Sequence, residues 1–155
     1  MKRNIKRLAL LLAIPLGVGG LAALLSGGMS DYGNLAQPPL SPPGWLFPVV
    51  WSILYLSMGY ASYRVAQSEG AAEEKRSALV LYGGQLLLNF LWPILFFRLE
   101  WYLGAFVLLL GLWALIFWTM QKFSRLDEIA GDLLLPYLLW VSFAGYLNLG
   151  VYLLN

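Results

Sequence analysis

The chain has 155 residues, 60% of them hydrophobic and only 12% charged, with a mean hydropathy of +0.70. A soluble domain carries about 25% charged residues, so this chain has about half the charge needed to coat a globule, and it belongs in a membrane. It contains no cysteine and no histidine, which excludes zinc and iron–sulfur sites, thiolate or imidazole haem ligands, disulfides, and nucleophiles that depend on either residue.

Taken in chain order, the first apolar run, 8–25, follows Lys2, Arg3, Lys6 and Arg7 and to that extent is similar to a signal peptide. At about 18 residues it is long for one, and no clear small-x-small cleavage site follows it, which predicts a retained span. The segment 26–44, SGGMSDYGNLAQPPLSPPG, holds Pro38-Pro39 and Pro42-Pro43. These fix φ and disfavour helix, predicting an ordered, non-helical cap. Spans 45–66, 78–97, 101–120 and 133–154 follow, each long enough to cross a hydrocarbon core of about 30 Å at about 1.5 Å per residue. Between them, Glu69, Glu73, Glu74, Lys75 and Arg76, and then Lys122, Arg125, Asp127, Glu128 and Asp132, read as solvated connections of mixed charge. The expected fold is a single all-α domain, a bundle of five transmembrane helices.

Nine basic residues (Lys2, Arg3, Lys6, Arg7, Arg64, Lys75, Arg76, Lys122 and Arg125) fall on the N-terminal side of the membrane, and only Arg98 falls opposite. That bias predicts a cytoplasmic N-terminus, an external C-terminus and an external 26–44 loop.

No acidic or basic residue stands in the middle of a span, which argues against a proton-coupled pump, a charged filter or a voltage sensor and predicts an apolar cargo. The polar groups at depth are Gln85, Asn89 and Asn148, with several hydroxyls, and each must face another helix or a ligand. Counting from the external ends places Trp51 about 9 Å deep, Trp92 about 8 Å, Asn89 about 12 Å, Asn148 about 9 Å and Ala144 about 15 Å, with Trp140 about 21 Å down as a floor. Trp51 and Tyr55, Asn89 and Trp92, and Trp140, Ala144 and Asn148 each share a helix face. These positions predict an aromatic-walled cavity beneath the loop, although interhelical packing would also accommodate them. Trp45, Trp101 and Trp118 are placed as interfacial belt residues.

Three motifs carry a family resemblance. Pro42-Pro43-Gly44-Trp45 with Trp51, Leu54-Tyr55, Met58-Gly59-Tyr60 and Ser62-Tyr63 resembles the second helix of the TspO/translocator protein family, the tryptophan-rich sensory proteins. Gly84-Gln85-Leu86 with Asn89, Trp92-Pro93 and Phe96-Phe97 resembles its third, and Pro136-Tyr137-Leu138 with Trp140, Phe143-Ala144 and Leu147-Asn148 its fifth.

The resemblance implies a bacterial membrane receptor that binds protoporphyrin IX or related tetrapyrroles and hydrophobic drug-like ligands, lies in contact with membrane lipid and forms a homodimer. It carries ligand contacts onto Tyr32, Pro42, Trp51, Tyr55, Asn89, Trp92, Trp140, Phe143, Ala144 and Asn148. It carries a role in light-dependent porphyrin degradation onto Trp51 and Trp140. Two places depart from the pattern. Leu40 stands where a Trp is common, and the loop reads Asp31-Tyr32. Val151-Tyr152-Leu153-Leu154-Asn155 lacks the basic residue of the cholesterol motif.

No cofactor is required on this reading, and porphyrin enters as a ligand; without His or Cys, metal-free porphyrin is preferred over haem. No acid–base constellation supports an ordinary hydrolase. Nothing in the sequence suggests nucleic acid as a partner. A small transporter of porphyrin or lipid, with Pro93 and Pro136 as kinks, and a regulatory module acting through a partner are the alternatives.

Overall fold

The computed structural model describes residues 4–27 and 32–155. Lys2, Arg3 and Asp31, which enter the sequence reading, lie outside them. The described residues form helices and no strand, and five helical spans are long and apolar enough to cross a membrane.

Helix α1 (Ile5–Leu25) starts where the Asn4 side chain accepts from the Arg7 amide at 3.0 Å, satisfying one of the free N–H groups of its first turn. A short 3₁₀ turn, Tyr32–Asn34, leads into a loop without α-helix as far as Trp45. Helix α2 (Leu46–Ala66) follows the second proline pair. Helix α3 (Ala72–Pro93) begins with Glu73 and Glu74 in its first turn, where the helix dipole favours negative charge. It passes at Pro93 into a π-helical turn, Ile94–Arg98, closed by the Leu99 amide on the Ile94 carbonyl at 3.0 Å. Helix α4 (Tyr102–Leu126), the short α5 (Glu128–Leu133) and α6 (Leu135–Leu154) complete the chain.

The span boundaries are longer than the hydropathy pattern predicts on the charged side. The helices at 78–97 and 101–120 extend to Ala72 and Leu126, and most of the connections expected there are helical. Charged residues stop an apolar run, but they do not stop a helix that emerges from the bilayer. Asp127 instead starts a new one, since its carboxylate accepts from the Ala130 amide at 2.9 Å as the cap of α5. The same oxygen accepts from Arg64 Nε at 3.0 Å, joining the end of α2 to the α4–α5 corner. The Arg64 contact and the Ala130 amide outweigh the cost of burial and hold the Asp127 carboxyl below its ordinary value. Pro136 sits in the first turn of α6, where its missing N–H costs no hydrogen bond.

Helix α1 packs on α2 and α3, α3 on α4, α4 on α6, and α5 against α2 and α4. The core runs through Met58, Ala61, Leu112, Ile116, Phe123 and Val141. At the charged end, α1 and α2 are tied by Asn4 N to the Tyr63 hydroxyl and by Arg7 to Gln67, both at 3.0 Å. Gly59 sets their crossing: a Cβ there would lie 2.7 Å from the Leu11 carbonyl oxygen, so only glycine lets the two backbones come this close. At the other end the loop is pinned across the bundle onto α6. Asn155 bonds both the amide and the carbonyl of Ala36, the Tyr146 hydroxyl donates to the Pro39 carbonyl at 2.6 Å, and the Pro38 ring packs on Gly150.

Candidate ligand cavity

Beneath the loop, in the half of the bundle away from the charged end, lies a cavity of about 690 Å³. This is within the usual range of about 300–1,000 Å³ for small-molecule sites. Of the ten ligand residues read from the sequence, Tyr32, Trp51, Tyr55, Asn89, Trp92, Trp140, Ala144 and Asn148 line it. Pro42 and Phe143 do not: Pro42 sits half-buried in the loop, and Phe143 packs behind Trp140 with ring centroids 5.7 Å apart.

The wall is largely aromatic. Trp51 stacks on Tyr55 at 5.6 Å and meets Trp140 nearly perpendicular at 6.5 Å, while Phe47 covers the other edge of Trp140 at 5.8 Å. Across the cavity Trp92 stacks on Phe96 at 5.0 Å, and Tyr32 closes the loop side against Phe47 and Phe97. Trp140 therefore belongs to the wall. Its contacts with Phe47 and Trp51, near the start of α2, place it higher than the residue count along α6 does.

The floor is a chain of hydrogen bonds. The Tyr55 hydroxyl donates to Asn89 Oδ1 at 2.8 Å, and Asn89 Nδ2 donates to the Tyr137 hydroxyl at 2.6 Å. That hydroxyl donates to Gln85 Oε1 at 2.7 Å, and Gln85 Nε2 donates to the Tyr82 carbonyl at 2.9 Å. Of the two alternatives for Asn89, another helix or a ligand, the structure shows helices: two phenols, from α2 and α6, reach its amide. Asn148 is engaged in the same way: it accepts from the Trp92 indole at 2.9 Å and donates to the Tyr102 carbonyl at 2.9 Å. The Trp140 indole N–H is different. It is buried and has no hydrogen-bond partner among the described residues, and a buried unmet donor costs about 1–3 kcal/mol.

Trp45, assigned to the belt, is highly exposed and also lines the cavity mouth, whereas Trp101 and Trp118 are exposed without lining it. Sequence reading missed the α1 contribution (Leu16, Gly19, Gly20, Ala22, Ala23 and Ser26), along with Phe47, Phe96 and Phe97. Small apolar residues in a uniformly apolar helix carry no signal of which face they present. Phe47 and Phe96 did carry one, four residues before Trp51 and four after Trp92.

A helical membrane bundle enclosing an aromatic cavity is the class of protein that these features define. The model of the TspO/MBR family matches residues 9–154, and the chain belongs to that family. The tryptophan-rich protein TspO of Chlorobaculum tepidum is 38% identical over 157 residues, covering 100% of this chain and 99% of that protein. The tryptophan-rich sensory protein of Cereibacter sphaeroides is 40% identical over 124 residues, 80% of this chain and 76% of its own. The translocator protein of Bos taurus is 39% identical over 125 residues, 78% and 72% respectively.

Proposed function

We propose that this protein is a receptor of the bacterial cell membrane that binds protoporphyrin IX or a related tetrapyrrole in the aromatic cavity, with other flat hydrophobic molecules as competitors. The N-terminus is cytoplasmic and the cavity lies in the outer half of the bilayer, as the distribution of basic residues supports. The reading includes the homodimer expected from the family resemblance. The observation that carries it is the cavity of about 690 Å³ beneath the loop, lined by Trp51, Trp92 and Trp140 and large enough for a flat macrocycle.

A porphyrin offers a wide π surface to stack on Trp51 and Trp92. Asn89 and Asn148, whose amides already serve the fold, shape the site more than they bind. Under illumination the bound porphyrin is the light absorber, and Trp51 and Trp140, to which the family resemblance assigns this role, are the oxidisable side chains.

The test is titration of the purified protein with protoporphyrin IX, following tryptophan emission in the dark and porphyrin absorbance in the light. Replacing Trp51 and Trp140 together with Phe is expected to abolish most of the quenching, weaken affinity about tenfold or about 1.4 kcal/mol, and remove light-dependent bleaching. Wild-type behaviour in that variant would refute the assignment.

A further inference from the structure

The cavity wall is uneven in one respect. Every lining residue from α3, α4 and α6 is buried or half-buried, and so are the 3₁₀ residue Tyr32 and the deep residues of α1 and α2. The exposed lining residues come only from α1 (Leu16, Gly20 and Ala23) and from the start of α2 with the residues before it (Gly44, Trp45, Pro48 and Ser52). On each side they recur at three- and four-residue steps, so they form two facing helical stripes.

The helix geometry explains the opening. At Gly59 the two backbones touch, and one turn higher Gly19 lies against Tyr55, where an added Cβ would overlap the phenol ring. Beyond that vertex the lining residues of both helices, Gly20 and Ala23 on one side and Pro48 and Ser52 on the other, are exposed, and a Cβ on Gly20 would meet nothing within 4 Å. Gly20 and Ser52 stand inside the segments that span the bilayer, so the gap faces lipid, not water. The loop end is strapped to α6 by Asn155 and Tyr146.

We infer that the cavity is filled from the membrane: an apolar ligand dissolved in the bilayer enters sideways between α1 and α2, through the V-shaped gap bordered by Gly20 and Ser52. The substrate class is accordingly a lipid-partitioned molecule thin enough to pass edge-on, and water-borne ligands reach the site by first entering the bilayer. The route is independent of which ligand the cavity holds.

The absence of cysteine makes the test direct. A single reporter, Ala144→Cys on the cavity wall, is placed in the full chain reconstituted in lipid nanodiscs and labelled with N-cyclohexylmaleimide, which partitions into lipid, or with a charged maleimide that does not. Leu147→Cys serves as a second reporter should the first not fold. The apolar reagent is expected to label either reporter and the charged one to do so much more slowly. Gly20→Leu combined with Ser52→Phe should slow apolar labelling about tenfold. Gly17→Leu, whose added side chain also meets open space but lies outside the cavity lining, should leave it unchanged. Equal labelling by the charged reagent, an unchanged rate in the plugged variant, the same slowing in Gly17→Leu, or no labelling of either reporter by the apolar reagent would each overturn the portal.

Discussion

Replacing Asn89 with Leu removes two hydrogen bonds at once, the one accepted from Tyr55 and the one donated to Tyr137. These join α3 to α2 and to α6, so the change acts on the packing of three spans. Interhelical bonds in membrane proteins average about 0.6 kcal/mol and reach about 1.7, giving an expected loss of about 1–3 kcal/mol. The Tyr137 hydroxyl keeps Gln85 as its acceptor, whereas the Tyr55 hydroxyl loses its acceptor and must turn toward the cavity. Stability is read from reversible unfolding in mixed micelles, with Tyr137→Phe and the double variant completing a cycle. The double variant should lose less than the sum of the two singles, because each single change already breaks their shared bond. Unchanged stability in Asn89→Leu, or strict additivity in the cycle, would refute the hydrogen-bonded floor.

Gly59→Ala places a methyl against backbone atoms of α1 at 2.7–2.9 Å, contacts that side-chain rotation cannot relieve, so thermal unfolding should report a loss of about 1–3 kcal/mol. Because the folded-state value of Asp127 is depressed, its contribution to stability is present above the ordinary carboxylate range and disappears as pH falls through the lower folded value. Asp127→Asn should therefore flatten the acid limb of stability measured by pH titration of unfolding, and an acid limb identical to wild type would contradict the Arg64 contact. A periplasm-active reporter fused after Asn155 should be active in a bacterial host, and activity only of a cytoplasmic reporter would reverse the orientation.

The spans and most of the cavity residues were legible because hydropathy and indole placement are one-dimensional signals. Trp51, Trp92 and Trp140 stand several residues inside their runs, away from where a belt residue belongs, and that displacement is visible in the string itself. The partners of Asn89 were not legible. Tyr55 and Tyr137 are 34 and 48 residues away, and nothing local marks a phenol as aimed at an amide. The same holds for Arg64 and Asp127, 63 residues apart: the first reads as one of nine basic residues on the N-terminal side, the second as one charge among several in a solvated connection. The contribution of α1 was hidden for another reason: its glycines and alanines matter through the side chains they lack, and an absence of bulk has no chemistry to recognise.

The bonds between Ala36 and Asn155 bridge 119 positions. They therefore join a segment to one that is synthesised 119 residues later. While a ribosome is still feeding α4 into the membrane, the first connection has nothing to lie across, because Tyr146, Gly150 and Asn155 have not yet been made. The roof of the cavity is thus fixed only after α6 has been made. A nascent chain carries an open, unroofed half-site until that helix is inserted.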